Sequence, residues 1–298
     1  MKATTILVAG GSGDLGGRII KALLRKGADV RAIVRSSTDD AKVQKLEQLG
    51  VKVIRVNMLD VSALTQTCEG ASCVISALQG MHDVIVDMQS ILLDAATAAG
   101  VPRFIPSDFS CDFTKLLVGD NRNFDLRREF HECLKKVSIA ATSIFNGAFA
   151  DMLTGQMPLI LFKLKRVLYW GNADQRMDFT TKDDTAAFTA SAALDPSTPR
   201  FLRIAGDQLS ARELTEVMNE VTGKKFRLFR AGGMRMLGTL IKVARMFDLG
   251  KKKPFPAWQG MQYMHNMFDG RAKLEPLDNE RYPDIKWTSI KELLAASR

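Results

Sequence analysis

The sequence predicts an α/β fold, a Rossmann-type doubly wound parallel sheet with a smaller α/β substrate-covering region. Three observations carry this. The first 150 residues alternate short β-branched runs with helical patterns, a glycine-rich turn joins the first run to the first helix, and the alternation loosens afterwards. Thr5-Ile6-Leu7-Val8-Ala9 reads as a strand buried on both faces. Leu15, Ile19, Ile20, Leu23 and Leu24 then fall at helical spacing over 15–26. Strands follow at 30–34, 51–56, 73–77, 103–106 and 140–145, with helices at 41–49, 62–68, 83–99 and 123–136 between them. Helices of that length between strands mean right-handed parallel crossovers. Further on, 167–170, 177–180 and 201–204 read as strands and 181–194 and 234–249 as helices. Ser210 opens another helix with capping-box spacing to Glu213. The expected division is a dinucleotide-binding domain over 1–150 and a smaller region over 151–298 that shares elements with it.

Composition excludes other classes. With 298 residues and 46% hydrophobic content the chain can bury a core without staples. Charged residues at 25%, with 22 Gly and 9 Pro, exclude disordered and collagen-like chains. Four cysteines form no CxxC pair, and three histidines are too few for a zinc cluster, so reduced thiols, no metal and a cytoplasmic location are expected. The N-terminal run reads as a strand and not as a signal peptide, and no apolar stretch reaches membrane-spanning length. The net charge of +9 is uneven: +2 over 1–150 and +7 over 151–298, gathered at 163–166, 224–230 and 251–253. Without an aromatic-interleaved RNA motif, this reads as a solvated basic face and not as a nucleic-acid site.

The chemistry begins at Gly10, Gly11, Ser12, Gly13, Asp14, Leu15 and Gly16. Glycines there allow a tight turn and close backbone approach to a pyrophosphate, which then sits on the positive end of a helix. The strand–turn–helix context gives the pattern its specificity. The selector of such a site lies at the end of the second strand, where Arg35 stands, followed by Ser36 and Ser37. A carboxylate there would bond a ribose 2′-hydroxyl. Arginine suits a 2′-phosphate, so NADP(H) is expected over NAD. Lys42 and Lys45 are candidates for the same phosphate. Asp60, after the third strand, is a candidate for the adenine amino group. Ala77, Leu78 and Gln79, after the fourth, lie on the expected cofactor path.

Several of these segments together resemble the NmrA-like and isoflavone-reductase-like group of atypical short-chain dehydrogenases. They are the glycine loop, Val34-Arg35, Val74-Ile75-Ser76-Ala77, Asp94-Ala95-Ala96 with Ala99-Gly100-Val101, and Arg103 to Phe109. Phe104-Ile105-Pro106-Ser107-Asp108-Phe109 is similar to the group's F-[IL]-P-S-[ED]-F, Asn146 to Phe149 to its Asn-x-x-Phe, and Trp287-Thr288-Ser289 to its W-T-S-[LI]. The resemblance implies a monomer or homodimer binding NADPH, with Asn146 and Phe149 beside the cofactor. It also implies a small apolar or aromatic substrate. One position departs from the plant reductases: their F-x-x-K lysine is here Arg127, in Phe124-Asp125-Leu126-Arg127. Arginine stays charged and cannot deliver a proton, though it can orient a nicotinamide ribose or polarise a substrate oxygen.

Ser107 and His131 complete the catalytic candidates, the first as a hydroxyl facing a substrate carbonyl and the second as a flanking general acid. Cys111 has no base spaced to activate it. Tyr282-Pro283-Asp284-Ile285-Lys286 spells Y-x-x-x-K, but Pro283 argues against the helix that pair needs. Leu237, Leu240, Ile241, Ala244 and Phe247 share one face of 234–249, suited to a lid over an apolar substrate or to packing. The function expected is an NADPH-dependent reductase of an aromatic carbonyl, enone, quinone or phenylpropanoid-like compound. The competing class is a non-catalytic NADP(H)-binding regulator with a macromolecular partner, favoured by Arg127 and the absent Tyr-Lys pair.

Overall fold

In a computed structural model, which describes residues 3–247 and 254–297, β1 (Thr5–Ala9) is buried along its length. It lies between β2 (Asp29–Arg35) and β4 (Cys73–Ser76). With β3 (Lys52–Val56), β5 (Arg103–Ile105) and β6 (Ala140–Ala141) they form a six-stranded parallel sheet of order β3-β2-β1-β4-β5-β6. The order reverses between β1 and β4, so their carboxyl ends open a crevice where ligands bind in such sheets. The crossovers are α1 (Asp14–Arg25), α2 (Asp40–Glu47), α3 (Val61–Cys68), α4 (Gln89–Ala98) and α5 (Arg122–Leu134). Leu7, Val74 and Phe104 of the sheet pack with Leu92, Leu93 and Phe130 of the helices. Each such side chain contributes about 1.5–3 kcal/mol when fully buried.

Two elements differ from the expected pattern. The helix expected over 83–99 begins as a π-helical segment, Asp83–Met88, before α4. At the junction the buried Gln89 amide donates to the Ile85 carbonyl at 3.0 Å. The strand expected over 140–145 breaks after Ala141. Thr142 N still reaches Phe104 O, but β7 (Ser143–Phe145) pairs with β12 (Phe201–Arg203) instead of the main sheet.

Two compact units divide the chain, and neither is contiguous. The first holds residues 1–108, 126–144 and 185–202; the second holds 109–125, 145–184 and 203–298. The single boundary expected near 150 is therefore replaced by five crossings, and the second unit is not the smaller. Its strands are β8 (Ala148–Phe149), β9 (Ile160–Leu161), β10 (Arg166–Trp170), β11 (Met177–Thr180), β13 (Asp207–Leu209) and β14 (Arg227–Gly232), in sheets of order β14-β10-β9 and β13-β11-β8. Its helices include α7 (Ala211–Thr222), α8 (Met234–Phe247), α9 (Ala257–Phe268) and α10 (Ile290–Ala296), while α6 (Lys182–Leu194) runs from the second unit into the first. The face expected on 234–249 is split. Leu237 and Ile241 enter the core, whereas Leu240 and Phe247 are exposed. The end of that expected helix and the 251–253 basic cluster lie outside the described residues.

Candidate functional site

Gly10 leaves β1 with φ +82°, a backbone region that favours glycine, and a Cβ there would stand 2.6 Å from the Ala77 carbonyl oxygen. Gly13 N donates to Gly10 O at 3.0 Å. Gly13 then serves as N-cap of α1 without a side-chain cap. The first turn of α1, with no side-chain cap, carries the positive end of the helix dipole. A Cβ on Gly16 would overlap the Gly10 carbonyl. Gly11 is buried, Ser12 half-buried, and the Asp14 carboxylate accepts from Arg18 Nε at 2.8 Å. These features make a cradle for an anion.

Arg35 is the last residue of β2, exposed, with no ion pair or side-chain hydrogen bond among the described residues. The neighbouring carboxylates are engaged elsewhere: Asp39 accepts from Ala41 N as the N-cap of α2, and Asp40 pairs with Arg55. Arg55 Nη1 also donates to Ser36 O at 3.1 Å and Thr38 O at 2.7 Å. It braces the loop beside Arg35, a role the sequence pattern does not reveal. Lys42 and Lys45 are exposed on α2.

Asp60 acts as N-cap of α3, accepting from Ala63 N at 3.0 Å. Ala77 N donates to Ala9 O at 2.8 Å, which holds the 77–79 segment against the glycine turn; Gln79 is exposed. Leu78 O accepts the Ser107 hydroxyl at 2.6 Å, and Ser107 N donates to Gln89 Oε1 at 2.9 Å. Arg127 Nε donates to Ser107 O at 3.0 Å. Leu78, Ser107 and Arg127, at the ends of β4 and β5 and on α5, are thereby joined. Ser76, last in β4, has a buried hydroxyl without a partner.

His131 is buried. Its Nε2 lies 2.7 Å from Asp108 Oδ2, which also accepts from Ser143 Oγ at 2.5 Å. Arg200 Nη1 donates to Ser143 Oγ at 2.6 Å. Burial pushes the Asp108 pKa up, but the charge and hydrogen bond of His131, then Ser143 and Arg127, outweigh it and hold the carboxyl below its usual range. The arrangement fastens the 107–108 segment to α5. Sequence spacing finds His131 but not this carboxylate partner, 23 residues away.

Asn146 and Phe149 belong to the second unit. Asn146 N donates to Ser110 O and its carbonyl accepts from Thr180 Oγ1, but both polar atoms of its buried side chain lack partners. Phe149 is half-buried and opposite Thr180 in β8–β11 pairing. The Trp287-Thr288-Ser289 motif is structural. Thr288 N donates to Asp184 Oδ2 at 2.9 Å, and Ser289 closes a capping box with Glu292 on α10. Tyr282 and Lys286 lie outside any helix, so their spacing places no acid pair. Cys111 is half-buried, whereas burial pushes the Cys68 and Cys73 thiols up to about 12. Among the described residues no group of three or more His, Cys, Asp or Glu side chains could hold a metal, and no helix is long and apolar enough to cross a membrane.

Strand order and loop define a Rossmann-type α/β protein whose first turn is built for an anion. The chain belongs to the NmrA-like family, whose pattern matches residues 2–293. Pinoresinol reductase 2 of Arabidopsis thaliana is 26% identical over 315 residues, covering 98% of this chain and 96% of that protein. The isoflavone reductase homolog IRL of Zea mays is 27% identical over 312 residues, covering 97% and 96%. Among solved structures, AtPrR2 with NADP+ and (+)pinoresinol superposes with a TM-score of 0.84 at 24% identity, covering both chains fully.

Proposed function

We propose that this protein is an NADP(H)-dependent reductase of an apolar aromatic substrate: a carbonyl, enone, quinone or phenylpropanoid-like benzylic ether. The observation that carries this reading is the anion cradle of Gly10, Gly13 and Gly16, with the exposed, uncommitted Arg35 at the end of the next strand. A pyrophosphate fits the uncapped helix end, and a 2′-phosphate fits Arg35. Similarity to the pinoresinol and isoflavone-type relatives supports the substrate class.

The bound dinucleotide would supply the hydride. The chain's part is to bind and orient. Arg127, held through Nε by Ser107 O, keeps a permanent positive charge to polarise a substrate oxygen. Ser107 Oγ donates its hydrogen bond to Leu78 O, so its oxygen is placed to accept one. His131, closed onto Asp108, is proposed as a positioning residue for Ser107 and Arg127 and no longer as the general acid. Within its own unit, the unpartnered Asn146 amide is proposed to meet a polar ligand group. A location in the cytoplasm and a monomeric or homodimeric state complete the proposal.

A second reading has one observation behind it: Arg127 cannot give up a proton, which suits a regulator that binds the dinucleotide without turnover. A panel of quinones, aryl enones and benzylic ethers with NADPH separates the two. The reductase reading expects oxidation above background with at least one compound. Tight NADPH binding with no oxidation across the panel assigns the regulator.

A further inference from the structure

The segment from residue 221 to 247 contains seven basic residues and no acidic one. Lys224, Lys225, Arg227, Arg230, Arg235 and Lys242 are exposed, and none makes an ion pair among the described residues. The seventh, Arg245, stacks over Trp258 at 5.1 Å. Within this segment α8 carries two apolar faces. Leu237 and Ile241 anchor it to the core, while Met236, Leu240, Val243, Met246 and Phe247 are 39–73% exposed.

At about 100° per residue, Met246, Thr239, Val243, Met236, Phe247 and Leu240 fall on one solvent-facing arc of roughly 120°. Arg245, Lys242 and Arg235 fall along its neighbouring arc. Lone exposed apolar side chains are ordinary, but a continuous stripe along a helix is not. A stripe bordered on one side by long basic side chains is the pattern of a helix lying in a lipid interface. Its charge complements anionic headgroups, and its two anchors present it without any ordering step.

We propose that α8 docks this protein peripherally onto an anionic membrane surface. Met246, Phe247, Leu240 and Met236 enter the headgroup–acyl boundary, and Arg235 and Lys242 contact lipid phosphates and carboxylates. This rests on α8 and its charge, independently of the reductase reading.

The test is co-sedimentation of the full chain with vesicles of phosphatidylcholine alone or with about one-third phosphatidylserine. Binding is expected only to the anionic vesicles, weakening as salt rises from about 0.1 to 0.5 M. Arg235→Glu with Lys242→Glu should lower the partition coefficient at least tenfold. Met246→Ser with Phe247→Ser should do so too, with melting temperatures unchanged because these side chains lie outside the core. Met246→Trp should gain fluorescence that brominated acyl chains quench, which charge adsorption alone would not give. No sedimentation with anionic vesicles, or equal binding to neutral ones, overturns the proposal. So does a concentration-dependent dimer that Phe247→Ser dissolves, since a second copy would then cover the face.

Discussion

At the residue scale, the glycine turn depends on the absence of atoms. Gly16→Ala would drive a methyl group into the Gly10 carbonyl, which is itself pinned by Gly13 N. We expect a loss of about 1–3 kcal/mol in stability and weakened dinucleotide binding, read by thermal melts and cofactor titration. Arg35→Asp should weaken NADPH at least tenfold, about 1.4 kcal/mol, while NADH binding holds or improves. Equal loss of both would remove Arg35 as selector. Arg127→Ala should lower kcat with cofactor affinity retained, because the cradle proposed for the phosphates does not include it. Arg127→Lys should keep or raise activity if a lysine there can shuttle a proton. Gly16 and Arg35 stand out in the sequence because a loop and a strand end are local patterns, whereas Arg127 stands out only through the family resemblance. Arg55 and Asp108 do not, since their partners lie 15–35 residues away and are set only by folding.

Elements with strong local grammar are legible in the sequence, and those without it are not. The buried runs of β1 and β4 and the Ser210–Glu213 capping box stand in the structure as the pattern predicts. The helix α9 is less legible because half of its buried face is amide: Gln259, Gln262 and Asn266 share it with Trp258, Met264 and Phe268. Asn121 links two of them, accepting from Gln259 at 2.7 Å and donating to Asn266 at 3.0 Å, while Gln262 accepts from Arg122 N at 3.3 Å. Short strands such as β8 and β9 are also invisible, since two residues hold no period. On α7, Ser210→Ala should cost about 1 kcal/mol in urea titration. The Arg176 hydrogen bond, partly countered by burial, lowers Glu213 to about 2. Its contribution is therefore present above pH 4.5 and lost as pH falls toward that value, damped by solvent at this half-exposed pair.

For the whole molecule, interleaving explains why a contiguous boundary was expected and five crossings were found. Hydrophobic period identifies an element, but not which core receives it, so 185–202 reads as second-half sequence while folding into the first unit. Stability against pH reports on that unit through two opposing groups. Asp108 is held below its ordinary 3.8, so its contribution is present above that pH and is lost on further acidification through the folded value. His82 goes the other way. Hydrogen bonds to Glu129 first and Asp87 second raise it above 6.5, at 2.9 and 3.1 Å. Its stabilisation is complete below pH 6.5, where the unfolded histidine is also protonated, and vanishes as pH rises through the folded value. The pair is exposed, so roughly 0.2–1 kcal/mol is at stake, about 1–3 °C in a chain of this size. His82→Gln should melt below the wild type at pH 6 by that margin, and the two curves should converge as pH is raised to about 9. A gap that stays constant would mean that the imidazole contributes by packing, and one that widens would reverse the assignment of charge at His82.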